Sequence, residues 1–128
     1  MTGSTQVNEK IMDLAAAKRF AETWHANWCK VDIDAVVSHF AKDAEMRSPL
    51  AEKLTGSPVV KGSEEIRQYW KKAYGHMKSA DLHLLSWSWD KPMRRLTVWW
   101  RLDKARASEY MDFDETGRVI RSEAFYGK

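Results

Sequence analysis

Leu96-Thr97-Val98-Trp99-Trp100-Arg101-Leu102-Asp103-Lys104-Ala105-Arg106-Ala107-Ser108-Glu109-Tyr110-Met111-Asp112-Phe113 is the stretch on which the fold turns. Apolar and polar residues alternate through much of it on either side of Asp103-Lys104, and a period of two marks a strand with one buried face. A two-residue turn at Asp103-Lys104 pairs Leu102 with Ala105, Trp100 with Ala107 and Val98 with Glu109. Directly paired residues share a face. Leu96, Val98, Trp100, Leu102, Ala107, Met111 and Phe113 therefore lie together, and Glu109 lies with them. Thr97, Trp99, Arg101, Arg106, Ser108, Tyr110 and Asp112 take the other side. The first set is the core side, which leaves Glu109 as a carboxylate among apolar neighbours.

Working outward, Leu82–Trp89 and Val119–Tyr126 read as further strands, with turns at Asp90-Lys91-Pro92 and Glu115-Thr116-Gly117. Four consecutive strands joined by short turns predict an antiparallel meander. The upstream half has helical spacing instead. Ile11, Leu14, Ala17, Ala21, Trp24 and Trp28 recur every three or four residues. Asp32 caps a second, short helix with the apolar face Ile33, Val36, Val37 and Phe40. Asp43 to Pro49 alternates as a strand stopped by proline. Leu50–Leu54 and Pro58–Val60 flank the turn signal Thr55-Gly56-Ser57 and read as a hairpin. Gly62-Ser63 opens a third helix, with Glu64 and Glu65 suited to its positive end. Its stripe is Ile66, Tyr69, Trp70, Ala73 and Met77. Helices first and strands later predict an α+β domain over residues 10–127, with a loose tail over 1–9.

The bulk numbers agree. A chain of 128 residues with 44% hydrophobic and 30% charged residues is one globular domain with a core of its own. Seven tryptophans in so short a chain call for a core, an interface or a ligand. The net charge of +3 is scattered rather than clustered, which describes a solvated surface and argues against nucleic acid. The single cysteine, Cys29, excludes an internal disulfide and sits in a helical pattern as a buried thiol. No apolar core of a leader peptide stands at the start, and no run approaches the roughly 18 apolar residues of a membrane span, so a cytoplasmic location is the default expectation. No cluster has metal-ligand spacing and no phosphate loop is present, so neither metal nor other cofactor is expected.

The order helix, short helix, strand, hairpin, helix and four-strand meander resembles the SnoaL-like, nuclear transport factor 2-like superfamily. Phe40-Ala41-Lys42-Asp43-Ala44 is similar to its aromatic-Ala-x-Asp-Ala segment. Lys61-Gly62-Ser63-Glu64-Glu65-Ile66 resembles its Gly-x-x-x-Ile helix start, Phe113 to Val119 its Phe-Asp-x-x-Gly-Arg-Ile turn, and Ala124-Phe125-Tyr126 its closing aromatics. The resemblance implies a curved, mostly antiparallel sheet wrapped around three helices, a cystatin-like roll with a cone-shaped pocket, and commonly a homodimer. The outer sheet face, with Trp87 or Trp89, Trp99 and Tyr110, is the expected contact for a second copy or another partner.

Fold does not fix function, and the superfamily spans isomerases, cyclases, dehydratases, epoxide hydrolases and non-catalytic binding domains. The steroid isomerase branch uses a carboxylate base, a tyrosine and a protonated acid. Here the resemblance puts Ser48 at the base and Trp24 at the tyrosine, and only the acid has a counterpart, Glu109. A serine hydroxyl alone is too weak a base to take a proton from carbon. Arg101-Leu102-Asp103 resembles the epoxide hydrolase Arg-x-Asp element, but Asp103 falls in the turn and Ala124 stands where that branch has its last-strand aspartate. The dehydratase branch relies on pocket histidines, and His25, His39, His76 and His83 are candidates by type alone.

Glu109 is therefore the candidate catalytic group. Trp24, Trp28, Ser48, Trp70, Val98, Trp100, Ser122 and Tyr126 are the candidate ligand-binding residues. Two readings stay open: an acid–base enzyme acting on a small apolar or polycyclic molecule, and a carrier or dimeric assembly module without chemistry. The absent base and the tryptophans favour binding over proton transfer.

Overall fold

The computed structural model describes residues 12–127. The expected tail over 1–9 and the helical position Ile11 lie outside the described residues. The elements are α1 (Leu14–Cys29), α2 (Ile33–Val37), β1 (Phe40–Arg47), α3 (Pro49–Thr55), β2 (Val59–Lys61), α4 (Ser63–Tyr74), β3 (Leu82–Asp90), β4 (Arg95–Leu102), β5 (Ala105–Phe113) and β6 (Val119–Tyr126). All six strands form one curved sheet in the order β2-β1-β6-β5-β4-β3. Only the β1–β6 pair is parallel, and β3 to β6 form the meander. No helix among the described residues is long and apolar enough to cross a membrane.

The first three helices begin where a side chain accepts from an orphan amide, whereas α4 starts at Gly62 without a side-chain cap. Asp13 accepts from the Ala16 amide at 2.7 Å and Asp32 from the Ala35 amide at 3.1 Å. The buried stripe of α1 is Ala17, Ala21 and Trp24, while Leu14, at the first turn, is 63% exposed. Phe40 does not close the face of α2; it opens β1 and is buried there.

One expected element is different. Residues 50–54 are not a hairpin arm but most of α3. Pro49 occupies the first turn, where its missing amide costs nothing. The Ser48 hydroxyl accepts from the Leu50 amide at 3.2 Å, and Gly56 ends the helix with φ of 86°, a conformation glycine adopts without strain. The hairpin partners are β1 and β2, which pair Glu45 with Lys61 and Arg47 with Val59 across the intervening helix.

The turn at Asp103-Lys104 is as read, with Leu102 opposite Ala105 and Val98 opposite Glu109. A bulge breaks the alternation of β3. Leu84 lies opposite Trp100 but Ser86 lies opposite Trp99, so Leu85 is an unpaired extra residue, 48% exposed. Beyond it Trp87 pairs with Val98 and Trp89 with Leu96, on the same side as Leu82 and Leu84. Trp87 and Trp89 thus pack against the core and contribute nothing to the outer face. That face carries Trp99 and Phe125, 41% and 50% exposed, around the half-buried Tyr110.

Candidate functional site

The inner face of the sheet and the helices above it leave a half-open pocket holding roughly 70 Å³ of space open to the centre of a water molecule. A single water needs about 10–15 Å³ by that measure, so the space admits several waters or a compact ligand. Trp24 and Trp28 come from α1, and Tyr69, Trp70 and Tyr74 from α4. Trp100 comes from β4, and Ser122, Ala124 and Tyr126 from β6. Glu109, on β5, lies among them. The rings brace one another edge to face: Trp28 with Trp70 at 5.2 Å and Tyr74 at 5.5 Å, and Trp100 with Tyr126 at 6.1 Å.

Two contacts tie the end of α1 to the start of β3 at the pocket wall. His25 Nε2 donates to the Leu82 carbonyl at 2.6 Å, and Cys29 Sγ donates to the same oxygen at 3.4 Å. Cys29 is thus half-buried and engaged.

Glu109 has one side-chain partner, Ser122, whose hydroxyl donates to Oε2 at 3.0 Å. Burial pushes its carboxyl up to about 7, and the Ser122 hydroxyl offsets only part of that shift. The residue is only partly covered, but it lines the pocket and meets no positive charge there. Burial also pushes the Tyr69 phenol up to about 12, against the pull of the Ser48 hydroxyl, and raises Tyr74, with Tyr126 adding to that rise. The indole N–H of Trp100 is buried and has no hydrogen-bond partner among the described residues.

No family model matches the sequence, and neither does any curated protein. Solved structures match it over most of its length. A SnoaL-like protein of unknown function from Burkholderia thailandensis E264 superposes with a TM-score of 0.83 at 26% identity, over 91% of this chain and 98% of the other. The chain is thus similar in structure to SnoaL-like and NTF2-like proteins. An NTF-2 like protein of unknown function from Burkholderia xenovorans LB400 shares the fold, with a TM-score of 0.70 at 12% identity over 89% and 85% of the two chains. So does the epoxide hydrolase/cyclase-like enzyme SalBIII, of pyran ring formation in the polyether salinomycin, with 0.69 at 16% identity over 90% and 93%.

Within this cone, the structure brings together Glu109, Trp24, Trp28, Ser48, Trp70, Trp100, Ser122 and Tyr126. Val98 is apart: it is fully buried in the core, not in the pocket wall. None of the four histidines lines the cone. His25 is held by Leu82, His39 stacks edge-on with Phe20, His83 meets Asp81 at 2.9 Å, and His76 is exposed. Asp103 sits in its turn with φ of 55°, and Ala124 presents no acid to the cone. Among the described residues no three of His, Cys, Asp or Glu are placed to hold a metal ion.

Tyr69 and Tyr74 were not among the candidates. Tyr69 lies on the α4 stripe and reads as core packing by its spacing alone. Tyr74 stands outside the named stripe, and its packing against Trp28 at 5.5 Å places it in the wall.

Proposed function

We propose that the cone binds a compact, largely apolar ring compound and that Glu109 is its working group, in an isomerase-, cyclase- or dehydratase-type reaction. The observation that carries this reading is a carboxyl set among aromatic rings with a single neutral partner at 3.0 Å. A carboxyl that titrates near 7 is present in both forms at neutral pH, so it serves as acid, base or hydrogen-bond donor. The site then needs no second carboxylate, and none lines the cone among the described residues. Rings alone supply dispersion and shape, and Trp28, Trp70 and Trp100 provide both.

Binding is measured by tryptophan fluorescence during titration with apolar ring compounds, and turnover is then measured on those that bind. Glu109→Gln is expected to abolish turnover while keeping the fold. Full activity in that variant removes Glu109 from the mechanism.

One observation favours a non-catalytic carrier as the second reading. The Ser48 hydroxyl is committed to capping α3, and Trp24, at the position the resemblance gives to a tyrosine, has no acidic proton to donate. Saturable binding with no turnover of any bound compound supports the carrier.

The exposed Trp99 and Phe125 support a homodimer through the outer sheet face. Light scattering at micromolar concentration is expected to give twice the chain mass; a monomeric mass dismisses the dimer.

A further inference from the structure

We infer that the cone selects its ligand by charge, and that the class it takes is a compact aromatic or alicyclic amine in its protonated form. The inference rests on reading the cone as a ligand site. It goes beyond that reading by naming the charge of the occupant.

The lining has an unusual balance. Of its 17 residues, seven are aromatic: Trp24, Trp28, Tyr69, Trp70, Tyr74, Trp100 and Tyr126. Among the described residues Glu109 is the only acid in the wall, and no Lys, Arg or His lines it. Aromatic faces carry a negative quadrupole and attract a cation placed over them, most strongly where water is excluded. A carboxylate at the wall of such a ring cluster adds a full negative charge with no cation nearby to neutralise it. A carboxylate or phosphate ligand meets the opposite field: repulsion from Glu109, electron-rich ring faces and no basic donor. An ammonium group has the complementary sign, and its N–H bonds suit the two carboxylate oxygens.

The groups facing Glu109 define how this selection varies with pH. Ser122 is its neutral hydrogen-bond partner, and Tyr69, Tyr74 and Tyr126 are the other titratable side chains around it. Tyr69, held up to about 12, and Tyr74, also raised, stay neutral through the physiological range. Glu109 alone changes charge there. Its burial favours the protonated form, and a bound cation favours the ionised form. Amine binding therefore releases a proton from Glu109. Affinity for the amine climbs from about pH 5.5 to about pH 8 and then levels, until the amine itself loses its charge near pH 9–10.

Three probes of one shape test this by calorimetry at pH 8: 1-naphthylmethylamine, 1-naphthalenemethanol and 1-naphthoic acid. The amine is expected to bind roughly tenfold or more tightly than the alcohol, with the acid weakest. Glu109→Gln is expected to bring the amine to the level of the alcohol while leaving the alcohol within about threefold. A thermal melt confirms that the variant is folded, and the charge series on the unaltered chain stands without it. An alcohol that binds as tightly as the amine overturns the charge selection and leaves the cone as a ligand site. An amine that keeps its advantage in Glu109→Gln also overturns it, since the cation then sits elsewhere. Failure of all three probes to bind overturns the cone as a site for compact rings and the inference with it.

Discussion

Glu109 and Asp112 stand three residues apart on β5 and face opposite sides of the sheet. Each is a carboxylate surrounded by protein, and their surroundings differ in kind. Asp112, 6% exposed, receives two parallel hydrogen bonds from Arg95, Nε at 2.7 Å and Nη2 at 2.9 Å, with Arg121 at 3.7 Å. The Arg95 guanidinium also lies over the Tyr110 ring at 3.9 Å, and the Tyr110 hydroxyl donates to Glu123 at 2.9 Å. That knot is satisfied and holds neighbouring strands together. Glu109 receives one bond from a neutral hydroxyl. Burial alone does not decide what a carboxylate does; the charge of its partner does. Paired with a guanidinium, it is a structural fixture. Set among rings, it is left with proton affinity and unfilled hydrogen-bonding capacity.

The contrast breaks most directly through pH. In the fold Glu109 keeps its proton to about 7, whereas the unfolded chain loses it near 4.5. Between those values folding takes up a proton, so stability falls as pH rises through this window and levels above it. The loss is about 3 kcal/mol, taking 1.36 kcal/mol per pH unit. Denaturant melts at pH 4.5 and 7.5 should show that slope, and Glu109→Gln should flatten it. An unchanged slope in the variant means that burial does not hold a proton on Glu109.

Next in size is Asp112→Ala. It strands Arg95 and Arg121, both of which retain some access to water, so the cost is about 2 kcal/mol rather than the full penalty of a deeply buried pair. Chemical denaturation measures it, and ligand binding in the cone should stay intact. Ser48→Ala removes the cap of α3 and costs about 1 kcal/mol, read from the same melts. Arg121→Ala, which loses only the 3.7 Å contact, should shift stability by less than about 0.5 kcal/mol. A larger loss there assigns Arg121 a bigger share in the knot than its distance indicates.

The meander was legible because a two-residue turn and strict alternation leave one register, and that register put Glu109 on the inner face before any coordinates. The helix over 49–55 was hidden because Ser48-Pro49 serves equally as a strand stop and as a cap followed by a first-turn proline. The second reading is stabilised by the Ser48 cap, the Thr55 hydroxyl bonded to the Ala51 carbonyl at 2.7 Å, and Gly56. The sides taken by Trp87 and Trp89 were not legible either, because period two carries no information across a bulge. In the cone, the tryptophans and Ser122 followed from parity and from the resemblance. Tyr74 depends on how α4 is rotated over the sheet, which is set by packing rather than by spacing.

The extra residue in β3 has a consequence for how this chain tolerates change in length. Substituting Leu85 alters one exposed side chain. Deleting its codon removes the bulge and leaves Leu82, Leu84, Trp87 and Trp89 in unbroken period two, all still facing the interior. Loss of that one position straightens the strand and relaxes its local twist while both pairs stay inside, whereas a deletion within either pair forces one of its members outward.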